Sequence, residues 1–212
     1  MITNKRILIT SGPTCVAIDK VRVISNIASG ETGCILANEF KKLGAEVTLL
    51  LGSRNLYQPK TEIKVIGFKY FAELKKLLAT ELKNGKYAAV IHAAAVSDYQ
   101  PKKIAKVKIS SHLKNLKINL VPTKKLINEF KKYKNGLVSV GFKFEPDATR
   151  EAVIKKALAL LKVANLSLVV ANSNKNKQYS AYILDGINEY GPYRDKIKMA
   201  QQLTKLVKER LA

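Results

Sequence analysis

Tryptophan is absent from these 212 residues, and cysteine and histidine occur twice each. No apolar run approaches the roughly 20 residues that a bilayer requires, which excludes a spanning helix and predicts a soluble chain without a membrane partner. Cys15 and Cys34 are too few for a disulfide framework, and neither has a cysteine or histidine at metal-ligand spacing, since the only histidines are His92 and His112. A reducing, cytoplasmic compartment fits, with each cysteine a small packing residue. Met1 to Arg6 runs straight into Ile7-Leu8-Ile9, without the longer apolar region and cleavage site of a signal peptide. Acidic side chains are scarce as well, with 16 Asp plus Glu against 38 Lys plus Arg and a formal charge of +22. That field concentrates anions, nucleic acid among them. The lysines, however, are spread over the solvent faces of nearly every expected helix, with no basic tail and no basic stretch interleaved with aromatics. Anionic metabolites suit such a field better than nucleic acid does.

What is present is an alternation of apolar strands and amphipathic helices. Arg6 to Thr10 reads as a strand ending in the turn-forming Ser11-Gly12-Pro13-Thr14. After a long connection, Thr32 to Leu43 carries a helical stripe at Ile35, Leu36, Phe40 and Leu43, and Glu46 to Leu51 is strand-like. Strands follow at Ile63–Ile66, Tyr87–Ala94, Leu137–Phe142 and Leu166–Ala171, and helices at Tyr70–Leu82, Lys124–Lys132, Thr149–Val163 and Lys196–Leu211. A further strand is expected at Ala181–Leu184. This order predicts a single α/β domain over residues 1–212, a doubly wound, mostly parallel sheet with helices on both faces. Residues 97–120 break the rhythm and read as a flap or hairpin insertion, with a strand at Leu116–Leu120.

Ligands of such sheets lie at the carboxyl ends of the strands. Gly12 after the first strand, and Gly30 and Gly33 around the start of the first helix, permit close backbone approach, and the free N–H groups of a helix start suit a phosphate. An ordinary turn and helix start would look the same. Neither the P-loop nor the dinucleotide fingerprint is present, which weakens an NAD(P)-dependent oxidoreductase as an alternative. The run His92-Ala93-Ala94-Ala95-Val96-Ser97-Asp98-Tyr99 puts small residues at a strand end, with Asp98 able to bind hydroxyls or Mg²⁺ or to serve as a turn residue. His92 reads as a core histidine.

The ordered set Ile9-Thr10-Ser11-Gly12-Pro13-Thr14, Ile18-Asp19, Val21-Arg22, Ile24-Ser25-Asn26, Ser29-Gly30 with Gly33, Ala93 to Tyr99, Lys108-Ile109-Ser110-Ser111, Gly141-Phe142-Lys143 and Val169-Val170-Ala171-Asn172 resembles the phosphopantothenate-cysteine ligases, from Ile7 to about Gly186. The likeness is to the stand-alone form, with a flavin-dependent decarboxylase expected on another chain. It implies a Rossmann-like core, a homodimer, and a two-step reaction driven by CTP, or ATP, with Mg²⁺. By resemblance, Gly12, Gly30 and Gly33 line the triphosphate, Phe142 and Asn172 flank the nucleotide, and Lys156 and Lys162 add phosphate contacts. Lys108 on the flap neutralises the α-phosphate, with Lys106 a rival. Asn26 orients the substrate carboxylate and acyl phosphate, Ala94, Ala95 and Asp98 contact phosphopantothenate, and Arg22 reaches into the neighbouring subunit's site. Ala28 stands where the family usually has serine, and Tyr99 to Lys108 is shorter than in many relatives. A basic nucleic-acid-binding module on the same fold is the alternative of another class.

Overall fold

The computed structural model describes residues 1–54, 56–60, 62–133, 136–176 and 178–212, and only the backbone of Lys131. Six parallel strands form its frame: β1 (Arg6–Ser11), β4 (Glu46–Gly52), β5 (Lys64–Phe68), β6 (Ala89–His92), β9 (Val138–Phe144) and β10 (Leu168–Lys175). Two antiparallel strands, β11 (Gln178–Leu184) and β12 (Glu189–Tyr193), extend one edge, giving the order β12-β11-β10-β9-β6-β1-β4-β5. Taken alone, the parallel strands follow the 3-2-1-4-5-6 order of a Rossmann-like, doubly wound sheet. Burial on both faces explains the unbroken apolar runs of the central strands. Ile7, Leu8 and Ile9 of β1 and Val90 and Ile91 of β6 are all inaccessible to solvent.

Helices α1 (Glu31–Lys42) and α4 (Lys196–Leu211) cover one face, through Leu36, Phe40, Met199 and Leu203. The other face carries α2 (Phe71–Asn84), a 3₁₀ helix (Leu126–Lys132) and α3 (Arg150–Ala164). Thr149 caps α3 by accepting the Ala152 N–H at 3.3 Å, and Asp195 caps α4 by accepting the Lys198 N–H at 2.7 Å. Among the described residues, no helix is long and apolar enough to cross a membrane.

Several boundaries differ from the sequence expectation. The helix expected at Lys124–Lys132 is a 3₁₀ helix that starts at Leu126. Its approach is held extended, because Thr123 donates its N–H to Asp98 O at 2.8 Å and its hydroxyl to Ser97 O at 2.6 Å. The insertion is a two-stranded ribbon outside the main sheet, β7 (Tyr99–Pro101) with β8 (Leu120–Pro122). The strand expected at Leu116–Leu120 therefore begins only at Leu120, opposite a three-residue partner that ends in proline. The long first connection holds a hairpin not foreseen, β2 (Cys15–Ala17) with β3 (Val23–Ser25).

Two glycines set how closely these layers approach. A Cβ on Gly33 of α1 would lie 2.2 Å from Ser11 Cβ, and one on Gly52 of β4 would lie 2.6 Å from Pro13 O. Gly33 is thus where α1 rests against the end of β1, a packing role. Gly33→Ala is expected to lower the unfolding free energy by about 1–3 kcal/mol, the usual range for overpacking, as measured by urea denaturation.

Candidate active site

β1 and β6 lie side by side, yet the chain leaves β1 towards β4 and leaves β6 towards β9. A cleft of about 820 Å³ opens above their carboxyl ends, the position expected of a ligand site in this topology. Its floor is Ser11 and Gly12 from β1 and His92 to Val96 from β6. Gly12 and Gly30 both have φ of 78°, where a side chain would be strained. Ser11 donates its hydroxyl to Gly30 O at 2.8 Å, fixing the start of α1 beside the strand end. Gly30 supplies no side-chain cap, and Ser29 Oγ accepts only the Glu31 N–H, at 3.4 Å, so the Thr32 and Gly33 N–H groups of the first turn of α1 are left for an anion.

Strand periodicity sorts the walls. Val138 and Val140 of β9 and Leu168 and Val170 of β10 pack on the α1–α4 side, so Phe142, Asn172 and Asn174 continue on that side. Tyr179 of β11 joins them. His92 and Lys143 fall on the opposite side, where the His92 ring meets Phe130 edge-on at 5.3 Å. Thr10 Oγ1 accepts the Ala94 N–H at 3.3 Å and shares a hydrogen bond of 2.8 Å with His92 Nδ1, which holds the ring in place. Burial depresses the His92 pKa to about 4, so the ring is neutral at physiological pH. It confirms the reading as a core histidine.

Four lysines line the cleft: Lys124, Lys125, Lys143 and Lys196. Each is held by a carboxylate: Lys124 by Glu129 at 3.2 Å, Lys125 by Asp98, Lys143 by Glu145 at 2.8 Å, and Lys196 by Glu31. None was given a site role from sequence, although Lys143 stands in the family-like Gly141-Phe142-Lys143 run at a strand end and Lys124-Lys125 follow β8. Two buried polar atoms on the cleft's α1–α4 side, Asn172 Oδ1 and Tyr179 OH, have no hydrogen-bond partner among the described residues. Leaving such groups unpaired costs about 1–3 kcal/mol each, which a ligand could relieve.

Of the residues expected at the site, Gly12, Gly30, Asn26, Ala94, Ala95, Asp98, Phe142 and Asn172 come together in this cleft, with Ala28 beside them. Asn26 differs from expectation in its bonding: its Nδ2 donates to Ala95 O at 3.2 Å and Val96 O at 3.1 Å, so both amide hydrogens are engaged by backbone. Gly33, Lys108, Lys156, Lys162 and Arg22 do not line the cleft. Gly33 is buried under Ser11. Lys156 sits one helical turn before Ala159 and Leu160, which do line it, and its Nζ is held by Glu145. Lys162, Lys106 and Lys108 are exposed.

Arg22 and Asp19 instead fasten the insertion. Asp19 is buried and accepts the N–H groups of Val21, Arg22 and Ile109 at 2.7–3.0 Å, while Arg22 Nη1 donates to Asp19 Oδ2 at 2.8 Å and Ile109 O at 3.0 Å. Ile109 is therefore held at both its N–H and its C=O, next to Lys108. Those bonds, that of the Ile109 N–H foremost, lower the Asp19 pKa from 3.8 to about 2. The unfolded chain takes up this proton first as pH falls, so the stabilisation is complete above about pH 4 and is lost towards pH 2. Asp19→Asn is expected to lower the melting temperature at pH 7, with the gap to the unmodified protein narrowing from pH 4 to pH 2 in paired thermal melts. A gap independent of pH would remove the Asp19 charge from the clamp.

The family described as the DNA/pantothenate metabolism flavoprotein C-terminal domain matches residues 2–211. The Coenzyme A biosynthesis bifunctional protein CoaBC of Thermococcus kodakarensis is 38% identical over 174 residues, which are 82% of this chain and 42% of that protein. The protein of the same name from Borreliella burgdorferi is 35% identical over 214 residues, 97% of this chain and 53% of that one. The chain thus spans about half the length of the curated relatives it matches. Among solved structures, the C-terminal domain of a CoaBC bifunctional protein superposes with a TM-score of 0.80 at 28% identity, covering 99% of this chain and 96% of that one. On these matches, and on a cleft sited where the fold predicts it, the chain belongs to the DNA/pantothenate metabolism flavoprotein C-terminal domain family.

Proposed function

We propose that this chain ligates 4′-phosphopantothenate and L-cysteine to 4′-phosphopantothenoylcysteine, consuming CTP or ATP, in coenzyme A biosynthesis. The observation that carries the reading is the convergence, in one cleft, of Gly12, the uncapped start of α1 at Gly30, and the Asn26, Ala94, Ala95 and Asp98 group. The relatives named for coenzyme A biosynthesis support the same assignment. In the first step a carboxylate oxygen of phosphopantothenate bonds to the α-phosphorus and pyrophosphate departs with the electrons of the broken P–O bond. In the second, the cysteine amine bonds to the acyl carbon, the nucleoside monophosphate leaves, and the amine proton passes to solvent.

Both steps bring anions together, so positioning and charge neutralisation are the work required of the protein. The backbone donors around Gly12 and Gly30 receive the phosphates, and Phe142 and Asn172 flank the nucleotide. Asn26 orients the reacting carboxylate after its amide leaves the Ala95 and Val96 carbonyls. Mg²⁺ would ride on the phosphates, which it neutralises; among the described residues no three His, Cys, Asp or Glu side chains gather as metal ligands.

Lys108 meets the α-phosphate only if the insertion closes or a second copy supplies it. Exposed Ile104, Val107, Leu113 and Leu116 of the insertion, with Val21 of the β2–β3 turn, offer apolar side chains that a second subunit would cover. We read the protein as a homodimer in which Arg22 serves the neighbouring site. Cys15 and Cys34 are buried and unpaired, in keeping with a cytoplasmic enzyme.

The deciding assay is pyrophosphate release with phosphopantothenate, cysteine, Mg²⁺ and either CTP or ATP, each omitted in turn. Release that requires phosphopantothenate, together with the cysteine adduct by mass spectrometry, is the expected result; release with neither nucleotide overturns the reading. Asn26→Asp should reduce turnover by about a hundredfold or more, the range for losing one oriented donor, in a folded protein. Mixed dimers of inactive Arg22→Ala and inactive Lys108→Ala chains should regain part of the activity, and none regained would separate Arg22 from a shared site.

A further inference from the structure

The corner of the cleft between α1, β11 and α4 holds charged and polar groups that no step above uses. Lys196 is the first residue of α4, and the Asp195 cap fixes its backbone at the cleft wall. Its Nζ is paired with Glu31, the residue after Gly30, and lies 5.8 Å from the centre of the Tyr179 ring. Side-chain exposures of 31% and 28% set this pair inside the cleft mouth rather than on the open surface.

We infer that Lys196 is the cation that receives the terminal phosphates of the nucleotide, with Glu31 as the counter-ion it leaves when they bind; this rests on the reading of the cleft as a nucleoside triphosphate site. Three observations carry it. First, of the four lining lysines Lys196 alone stands on the α1–α4 side with Gly30. Lys143 points to the other face of β9, and Lys124 and Lys125 lead into a 3₁₀ helix whose Leu126, Ile127 and Phe130 pack on that other face.

Second, Glu31 in the first turn of α1 satisfies the helix dipole but would repel phosphates drawn to the same N–H groups. Its pairing with Lys196 removes that repulsion and hands the phosphates a cation at the point of arrival. Third, the Tyr179 hydroxyl in this corner is buried without a partner among the described residues. Desolvation, with the charges of Asp195 and Glu31, raises its pKa, so it stays protonated and can donate to a phosphate oxygen. Lys196 would thus act at the far end of the chain of phosphates from the acyl group. As the bond to the α-phosphorus breaks, negative charge grows on the pyrophosphate that Lys196 holds, at the oxygen that had bridged to the α-phosphorus.

The test is calorimetric titration of the full chain with CTP and ATP and, separately, with CMP and AMP. Lys196→Met should weaken triphosphate binding about tenfold or more, the scale of one charge-assisted hydrogen bond, while leaving monophosphate binding within about twofold. Glu31→Gln should move triphosphate binding the opposite way, several-fold tighter, and Tyr179→Phe should weaken it. An unmodified protein that prefers triphosphates, with Lys196→Met retaining the full preference, overturns the inference and leaves the nucleotide reading standing. If the unmodified protein shows no such preference, the nucleotide reading itself falls and the inference with it. Should Lys196→Met not fold, Glu31→Gln decides alone: tighter binding supports the assignment, and unchanged or weaker binding sinks it.

Discussion

Everything at the site depends on β1 pairing in parallel with two neighbours at once, Ile7 to Thr10 against Ala89 to His92 on one side and against Val47 to Leu50 on the other. Parallel pairing forces a crossover at every step, and here the crossovers from β1 and β6 depart in opposite directions. The carboxyl ends of these two strands are left uncovered, with no chain between them. The Gly12–Thr14 turn and the Ala93–Ala95 run then pair with one another, through Ala95 N–H to Gly12 O at 3.0 Å and Thr14 N–H to Ala95 O at 3.2 Å. This gives the cleft a floor of backbone groups and small side chains. A bulkier residue at Gly52 or Gly33 would push that floor away from the strands it extends.

The positive charge inside the cleft is balanced at close range. Each lining lysine is tethered to an acid at close range, so its side chain is already ordered and its charge balanced. An arriving phosphate competes with a carboxylate for an oriented ammonium and does not have to order a free one from solvent, which lowers the entropy cost of binding. His92 is buried and neutral, and its Nδ1 is occupied by Thr10. The arrangement suits chemistry driven by the positioning of charge, since the first proposed step joins a carboxylate to a polyphosphate.

Most of the fold was legible because its core strands are buried on both faces and its helices carry single apolar stripes, and the expected α4 coincides with Lys196–Leu211. Elements tied by tertiary hydrogen bonds were not. The late start of the 3₁₀ helix follows from Thr123 bonding to Ser97 and Asp98, and the β2–β3 hairpin is too short for any periodic signal. Residues near strand ends, such as Gly12, Asn26 and Asp98, could be picked out by position and by family likeness. Lys196 could not, since its partner Glu31 is 165 residues away, and a lysine opening a helix after an aspartate cap looks like any other. Arg22 and Lys108 illustrate the converse: likeness singled them out, and in this chain they stand beside the fastening of the insertion, outside the cleft.

That fastening changes what kind of loop the insertion is. Between the β7 and β8 strands, residues 102–119 would otherwise form one long connection closed only at its base by the Lys102 N–H to Asn119 O bond. Ala105 N–H bonds to Ile18 O, and Ile109 is gripped at both its polar groups by Asp19 and Arg22. The connection is therefore divided into short segments, each with far fewer conformations to search. Movement of the insertion over a ligand then becomes a swing about fixed points, and the fragment carrying Lys106 and Lys108 travels with the hairpin that leads to Asn26.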